Sequence, residues 1–272
     1  MEVTGGIPAV GSFAALGDSF TEGLNDPGPD GGFIGWADRF AELLAVRNPG
    51  LRYANLAIRG KLLGEVVADQ LPVALAMAPD MVSIAAGGND LLRPGADPDR
   101  LAGVFEDAVS ALRGAGCRVL VVTGFDPRTF PVIRWIRGRV AVYNMHLRGI
   151  ADRHGCVTVD LWSMPVLCDP RVWSDDRLHL TAEGHRRVAL RACEAVGAAA
   201  GADWSAPMPE LAGVPLPVRA GWLAARQVDA RWARRHAVPW MQRRIRGVSS
   251  GDGVLPKRPE LLPLDELLQA EA

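Results

Sequence analysis

Lysine is almost missing from this chain: of 272 residues only Lys61 and Lys257 are lysines, against 28 arginines. Net charge is also nearly absent, at −1, so no overall field draws the molecule to nucleic acid or to an anionic membrane. The four cysteines, Cys117, Cys156, Cys168 and Cys193, show no CxxC spacing. That pattern gives no zinc site and no disulfide framework, and free thiols in a reducing compartment are expected. No window approaches 18 uninterrupted apolar residues, so no membrane-spanning helix is expected. The opening stretch MEVTGGIPAVGSF lacks a basic segment followed by a long apolar one, so no secretory signal is expected either. Together these absences lead to the expectation of a soluble, cytoplasmic protein.

What is present is globular: 49% hydrophobic and 22% charged residues, enough for one large domain or one domain with an appendage. Up to about residue 200, strand-like and helix-like segments alternate. Phe13–Leu16, Leu51–Ala57, Met81–Ala86, Val119–Thr123 and Val157–Leu161 read as strands. Trp36–Val46, Leu62–Leu71 (stopped by Pro72), Arg100–Arg113, Val132–Arg153 and Ala182–Ala199 read as helices, the last with Thr181 as N-cap. Near-continuous apolar strands alternating with helices predict a parallel sheet covered on both faces. In such sheets function gathers in loops beyond the strands' carboxyl ends.

Four segments fall in such loops or just before a helix: LGDSF at 16–20, AIRGK at 57–61, GGNDL at 87–91 and DDRLH at 175–179. Each alone has a plain reading. Gly-Asp-Ser and Gly-Gly-Asn-Asp suit turns, because Gly relaxes the backbone and Asp, Asn and Ser bond it locally. An Asp-x-x-His pair suits a solvated helix end. His179 and His185 with Asp176 would be metal ligands, but a separation of six positions between the two histidines is not a helical ligand spacing, and no metal is expected. Taken together, the segments hold what acyl transfer through serine requires: a nucleophile, a base, a group that orients the base, and oxyanion donors. Ser19 is the candidate nucleophile. His179 is the candidate base, with Asp175 or Asp176 within reach of its Nδ1. The Ser19 N–H, the Gly60 N–H and the Asn89 side-chain amide are candidate oxyanion donors.

These blocks resemble those of the GDSL-type esterases and lipases, the SGNH hydrolase superfamily. Gly17-Asp18-Ser19 is similar to the first block, with Phe20 in place of leucine. Asn55 through Gly60 is similar to the second, Gly87-Gly88-Asn89-Asp90 to the third, and Asp176-Arg177-Leu178-His179 to the last. The resemblance covers roughly residues 10–200. It implies a three-layer α/β/α sandwich with a five-stranded parallel, flavodoxin-like sheet, and a serine esterase acting on small acyl esters without cofactor. It implies Ser19 as nucleophile, His179 as base, Asp176 as its partner, and Ser19, Gly60 and Asn89 as the oxyanion hole. A carbohydrate O-acetylesterase, an acyl-thioesterase and a non-catalytic binding module on the same fold are the alternatives. Arg59 either reaches toward an anionic substrate group or points to solvent.

Composition changes after residue 201. The last 72 residues contain eight prolines and four tryptophans, and residues 219–246 hold eight arginines against Asp229 as their one acid. The expected organisation is a hydrolase domain over 1–200 and a helical and extended tail over 201–272 that packs on the domain or lids it. Actinobacterial members of the family are similar in carrying a basic, Trp-rich tail. Basic and aromatic residues interleaved along 219–246 suit an anionic or membrane-surface contact. No nucleic-acid-binding motif is present, so no such partner is expected.

Overall fold

The structure, a computed structural model, describes residues 9–29, 31–130, 133–198, 201–208, 231–232, 234–235, 238–239 and 248–264. β1 (Ser12–Gly17) is buried at every position, as a strand covered on both faces must be. It runs into a one-turn helix, α1 (Ser19–Glu22), followed by α2 (Trp36–Ala45) and β2 (Arg52–Asn55). α3 (Leu63–Glu65), a π-helical turn (Val66–Gln70) and α4 (Leu71–Met77) lead back to β3 (Met81–Ala85). α5 (Gly88–Leu91) and α6 (Pro98–Gly114) precede β4 (Arg118–Val122); α7 (Arg137–Arg153) precedes β5 (Val157–Val159). α8 (Ala182–Ala195) follows, and β6 (Arg258–Pro263) is the last described strand.

The sheet order is β5-β4-β3-β1-β2-β6. The first five strands pair in parallel, which is the expected flavodoxin-like order. Among the described residues the sheet nevertheless has six strands and not the five expected: β6 adds antiparallel to β2, with Tyr53 opposite Leu262 and Asn55 opposite Arg258. The segment RPELLP lacks a strong strand pattern because of its two prolines, but an edge strand tolerates proline, since one side of it needs no ladder bonds. The expected basic helix over 219–246 falls mostly outside the described residues.

α2 packs on α8 over one face of the sheet, and α6 packs on α7 over the other. α2 turns Trp36, Phe40 and Leu44 inward, where each fully buried side chain contributes about 1.5–3 kcal/mol. Phe40 meets Phe13 of β1 edge-on at 5.2 Å between ring centroids, and Tyr53 of β2 stacks on Phe13 at 5.3 Å. Among the described residues, no helix is long and apolar enough to cross a membrane.

Pro72 does not stop a helix, contrary to the sequence expectation. The chain widens into the π turn over Val66–Gln70, and Pro72 then falls in the first turn of α4, where its missing N–H costs no intrahelical bond. The π turn also aims the buried Gln70 at the end of β1. Its amide donates to the Gly17 carbonyl and accepts from the Gly17 N–H, both at 2.9 Å. α7 begins at Arg137, preceded by a 3₁₀ turn over Arg134–Ile136, and α8 ends at Ala195, short of the left-handed Gly197.

His185 is a core residue between α8 and α2. Its Nδ1 accepts a hydrogen bond from the Trp36 N–H at 3.2 Å, so that nitrogen carries no proton. Burial, with Arg39 and Lys257 as neighbouring cations, pushes its pKa down to about 3. A histidine depressed in the folded state contributes stability that is present above its unfolded pKa and is lost as pH falls. His185 alone should therefore cost about 2 kcal/mol on acidification from neutral to pH 5. Thermal melts between pH 7 and 5 should show a steeper decline for the wild type than for His185→Gln; equal slopes would contradict this account.

Candidate active site

β1 ends at Gly17, and the next residue, Asp18, caps α1: its carboxylate accepts the Phe20 N–H at 3.0 Å. Ser19 is thus the first residue of a short helix at the carboxyl end of a central strand, and it is half-buried. The Gly23 N–H closes that helix onto the Ser19 carbonyl at 3.1 Å. Phe20 anchors the turn against the core, its ring centroid 6.1 Å from those of both Trp36 and His185.

The loop before α8 delivers the other partners. His179 Nε2 lies 2.8 Å from Ser19 Oγ, across 160 positions of sequence. Its Nδ1 lies 2.6 Å from Asp176 Oδ2. With Nδ1–H donated to the carboxylate, Nε2 is left to accept the serine hydroxyl proton. Asp175 is exposed, so the structure pairs His179 with Asp176. The Asp176 Oδ1 also accepts the N–H groups of Leu178 (2.9 Å) and His179 (3.0 Å) and the Ser174 hydroxyl (2.8 Å). Burial works to raise its pKa, but these donors and the histidine hold the carboxyl well below the usual carboxylate range.

Asn25 belongs to this group and was not singled out in the sequence. It sits in the left-handed region (φ 73°) and donates from Nδ2 to Asp176 Oδ2 at 2.7 Å and to Ser174 Oγ at 2.9 Å. In the sequence, LNDPG reads only as a turn; nothing local reveals that its amide meets a carboxylate 151 positions away.

The second and third blocks flank Asp18. Asn89 Nδ2 donates to Asp18 Oδ2 at 3.1 Å and to the Lys61 carbonyl at 3.0 Å. Gly60 adopts φ 78°, a conformation that L side chains rarely take, and any Cβ there would lie 2.4 Å from Ser249 Oγ. Arg59 takes neither course expected of it. Its N–H donates to Glu22 Oε2 at 2.7 Å and its Nε to Glu22 Oε1 at 2.9 Å, while its guanidinium lies 5.0 Å from the Phe33 ring centroid. Glu22 is buried, and its charge draws the arginine inward. The C-terminal extension also touches the site: the Trp232 Nε1–H donates to the Asp176 carbonyl at 3.1 Å, and Arg177 lies over the Trp232 ring at 5.5 Å. Among the described residues, no group of three or more His, Cys, Asp or Glu side chains could hold a metal ion.

Residues 15–187 match the model of the GDSL-like lipase/acylhydrolase family, more than half of the chain. No curated protein matches the sequence. Several solved structures share the fold. An α/β hydrolase enzyme, LAE5, from the metagenome of Lake Arreo, Spain, is 22% identical with a TM-score of 0.61, over 71% of this chain and 99% of that one. The acetylxylan esterase Axe2 from Geobacillus stearothermophilus is 20% identical with a TM-score of 0.58, over 74% and 99%. The psychrotrophic esterase EstA from Pseudoalteromonas sp., in a structure inhibited by monoethylphosphonate, is 15% identical with a TM-score of 0.54, over 68% and 96%.

Asp18 is the electrostatically costly member of the site. Burial raises its pKa to about 6, only partly offset by the Phe20 N–H and the nearby His179. An acid whose folded pKa is raised loses stability as pH climbs from its unfolded pKa through the folded one. Asp18→Asn keeps the cap oxygen and removes the charge. The wild type should lose roughly 2.4 kcal/mol relative to this variant between pH 4 and pH 7.5. Chemical denaturation across that range checks it, and a difference that stays constant with pH would refute it.

Proposed function

The chain belongs to the GDSL-like lipase/acylhydrolase family, whose members are carboxylic ester hydrolases, and on that premise we propose that it is a serine esterase acting on small acyl esters through Ser19, His179 and Asp176. The observation that carries this reading is the continuous hydrogen-bonded line from Ser19 Oγ through His179 to Asp176. In the proposed reaction His179 Nε2 takes the Ser19 hydroxyl proton as Oγ attacks the ester carbonyl carbon. Asp176 holds the imidazole tautomer and stabilises the imidazolium. The tetrahedral oxyanion is received by the Ser19 and Gly60 N–H groups and by Asn89 Nδ2. Because Asn89 Nδ2 already donates to the neutral Lys61 carbonyl, a negatively charged oxygen competes well for one of its hydrogens. Collapse expels the alkoxide, which takes the proton back from His179. Water, deprotonated by the same imidazole, then releases the acid from Ser19.

Asn25 supports this reading as a further donor on Asp176, keeping the carboxylate ionised and aimed at His179. Arg59, paired with Glu22, is assigned no substrate contact.

The test is hydrolysis of a chromogenic ester series from acetyl to palmitoyl. Ser19→Ala should lower kcat/KM by at least about 10³-fold, and Asn89→Ala by about 10²–10³-fold. A phosphonate probe should label the wild type at Ser19 and leave Ser19→Ala unlabelled. Activity confined to acetyl esters would favour an O-acetylesterase, the activity named for Axe2. Activity retained in Ser19→Ala would sink the proposal.

A further inference from the structure

The C-terminal extension returns to the sheet after residue 248 and makes two close attachments on the way. The first is a turn at Ser249–Gly251. Ser249 N–H donates to Asp252 Oδ2 at 2.8 Å, and the Gly251 N–H donates to Ser249 Oγ at 3.2 Å. Gly247–Gly251 spells Gly-x-Ser-x-Gly in the sequence, but Ser249 opens a hydrogen-bonded turn and not a helix, so it lacks the setting of a nucleophile elbow. The turn instead lies against the Arg59–Gly60 peptide. A Cβ built on Gly251 would stand 2.1 Å from the Arg59 carbonyl oxygen and 2.8 Å from Ile58 Cγ2. From the other side, a Cβ on Gly60 would meet Ser249 Oγ at 2.4 Å and Ser250 Oγ at 3.2 Å. Two glycines let two backbones touch, and the backbone being touched carries the Gly60 N–H.

The second attachment is Lys257, one of the chain's two lysines. Its ammonium donates to the Glu22 carbonyl at 2.7 Å, the Phe33 carbonyl at 2.8 Å and Asp38 Oδ2 at 2.6 Å. All three donor positions are thereby used. Glu22 is the last residue of the helix that begins with Ser19, and its side chain in turn holds the Arg59 N–H. The nucleophile's helix and the Gly60 loop are thus tied to each other through Glu22–Arg59, and each is tied separately to the C-terminal segment. β6, immediately after Lys257, anchors that segment on β2, the strand that leads into the Gly60 loop.

We propose that the Ser249–Gly251 turn and Lys257 form a strap that positions the oxyanion donor Gly60 against Ser19, making the C-terminal extension part of the active site. These are positioning residues: they act through the Arg59–Gly60 peptide and through α1, not on substrate. The inference rests on the serine-esterase reading above.

The strap is tested in the full-length protein with Gly251→Ala, Lys257→Met and, as a control in the same segment, Leu255→Ala, whose side chain is 83% exposed. The readouts are kcat and KM separately on the best ester of the series, the rate of phosphonate labelling at Ser19, and the thermal midpoint. Displacing an oxyanion donor by a fraction of an ångström to an ångström should lower kcat and the labelling rate together by about 10- to 100-fold in Gly251→Ala and about 10-fold in Lys257→Met. KM should stay within about threefold, since a transition-state donor adds little to ground-state binding. Leu255→Ala should match the wild type. The proposal is overturned if Gly251→Ala and Lys257→Met melt lower yet keep wild-type kcat in the folded protein, or if the apparent kcat falls only in proportion to the unfolded fraction. Should Gly251→Ala not fold, Lys257→Met alone decides by the same criteria. Failure of the underlying reading looks different: Ser19→Ala would then remain active.

Discussion

β1 lies between β2 and β3 and runs parallel to both, so all three strands leave the sheet at the same end. The connections after them carry Ser19, Gly60 and Asn89, and the strand order reverses between β1 and β3. Where the order reverses, successive connections depart to opposite faces and leave a crevice between them. Every candidate group in the first three blocks is therefore brought to one place by backbone pairing alone. The fourth block arrives from the loop before α8, the helix that packs on α2 over the sheet face. The hydrogen bond from Ser19 to His179 joins these two deliveries, and it needs both the sheet register and the α2–α8 contact to be correct.

The site is built around buried charge. Asp18, Glu22 and Asp38 are all buried close to α1 and its neighbours, and each is met by a specific donor: Asn89, Arg59 and Lys257 respectively. Buried carboxylates stabilise little on balance, because desolvation offsets most of what pairing returns. They do make misplacement costly, since moving any partner leaves a charge uncompensated. The result is a rigid frame around Ser19 at some expense in stability. Asp18, with its raised pKa, is where that expense is largest. Such a frame suits chemistry that depends on donors aimed beforehand at a developing negative charge.

The extension beyond the family match at residue 187 joins this frame in two ways. It lengthens the sheet through β6, and it presses a glycine-bearing turn and a lysine onto the loops that hold the site. The near absence of lysine from the chain sets off Lys257. A compact ammonium can reach two carbonyls and a carboxylate at one point, whereas the planar guanidinium fork of arginine, abundant elsewhere in the chain, could not satisfy that geometry.

Much of this was legible in the sequence. Uninterrupted apolar runs such as Phe13–Leu16 and Val119–Thr123 announced buried parallel strands, because a strand covered on both faces has no polar side. Asp176 and His179, three residues apart, could meet through local geometry, and the Gly60 N–H was a candidate oxyanion donor. Pro72 misled because a π turn absorbed it, and the prolines of RPELLP hid an edge strand, because propensity is local while pairing is not. Asn25 on Asp176, Glu22 on Arg59, and Lys257 across the end of α1 had no sequence signature at all. Each is a contact between a side chain and a partner far along the chain, and its existence depends on which loops the sheet brings together. The sequence by itself determined the residue types, the strand and helix alternation and the order of the four blocks, all of which follow from periodicity and spacing. The tertiary structure alone decided that Asn25 would meet Asp176, where Arg59 turned, and how the C-terminal segment would pack against the site, because those outcomes rest on distances between segments that covalent neighbours do not control.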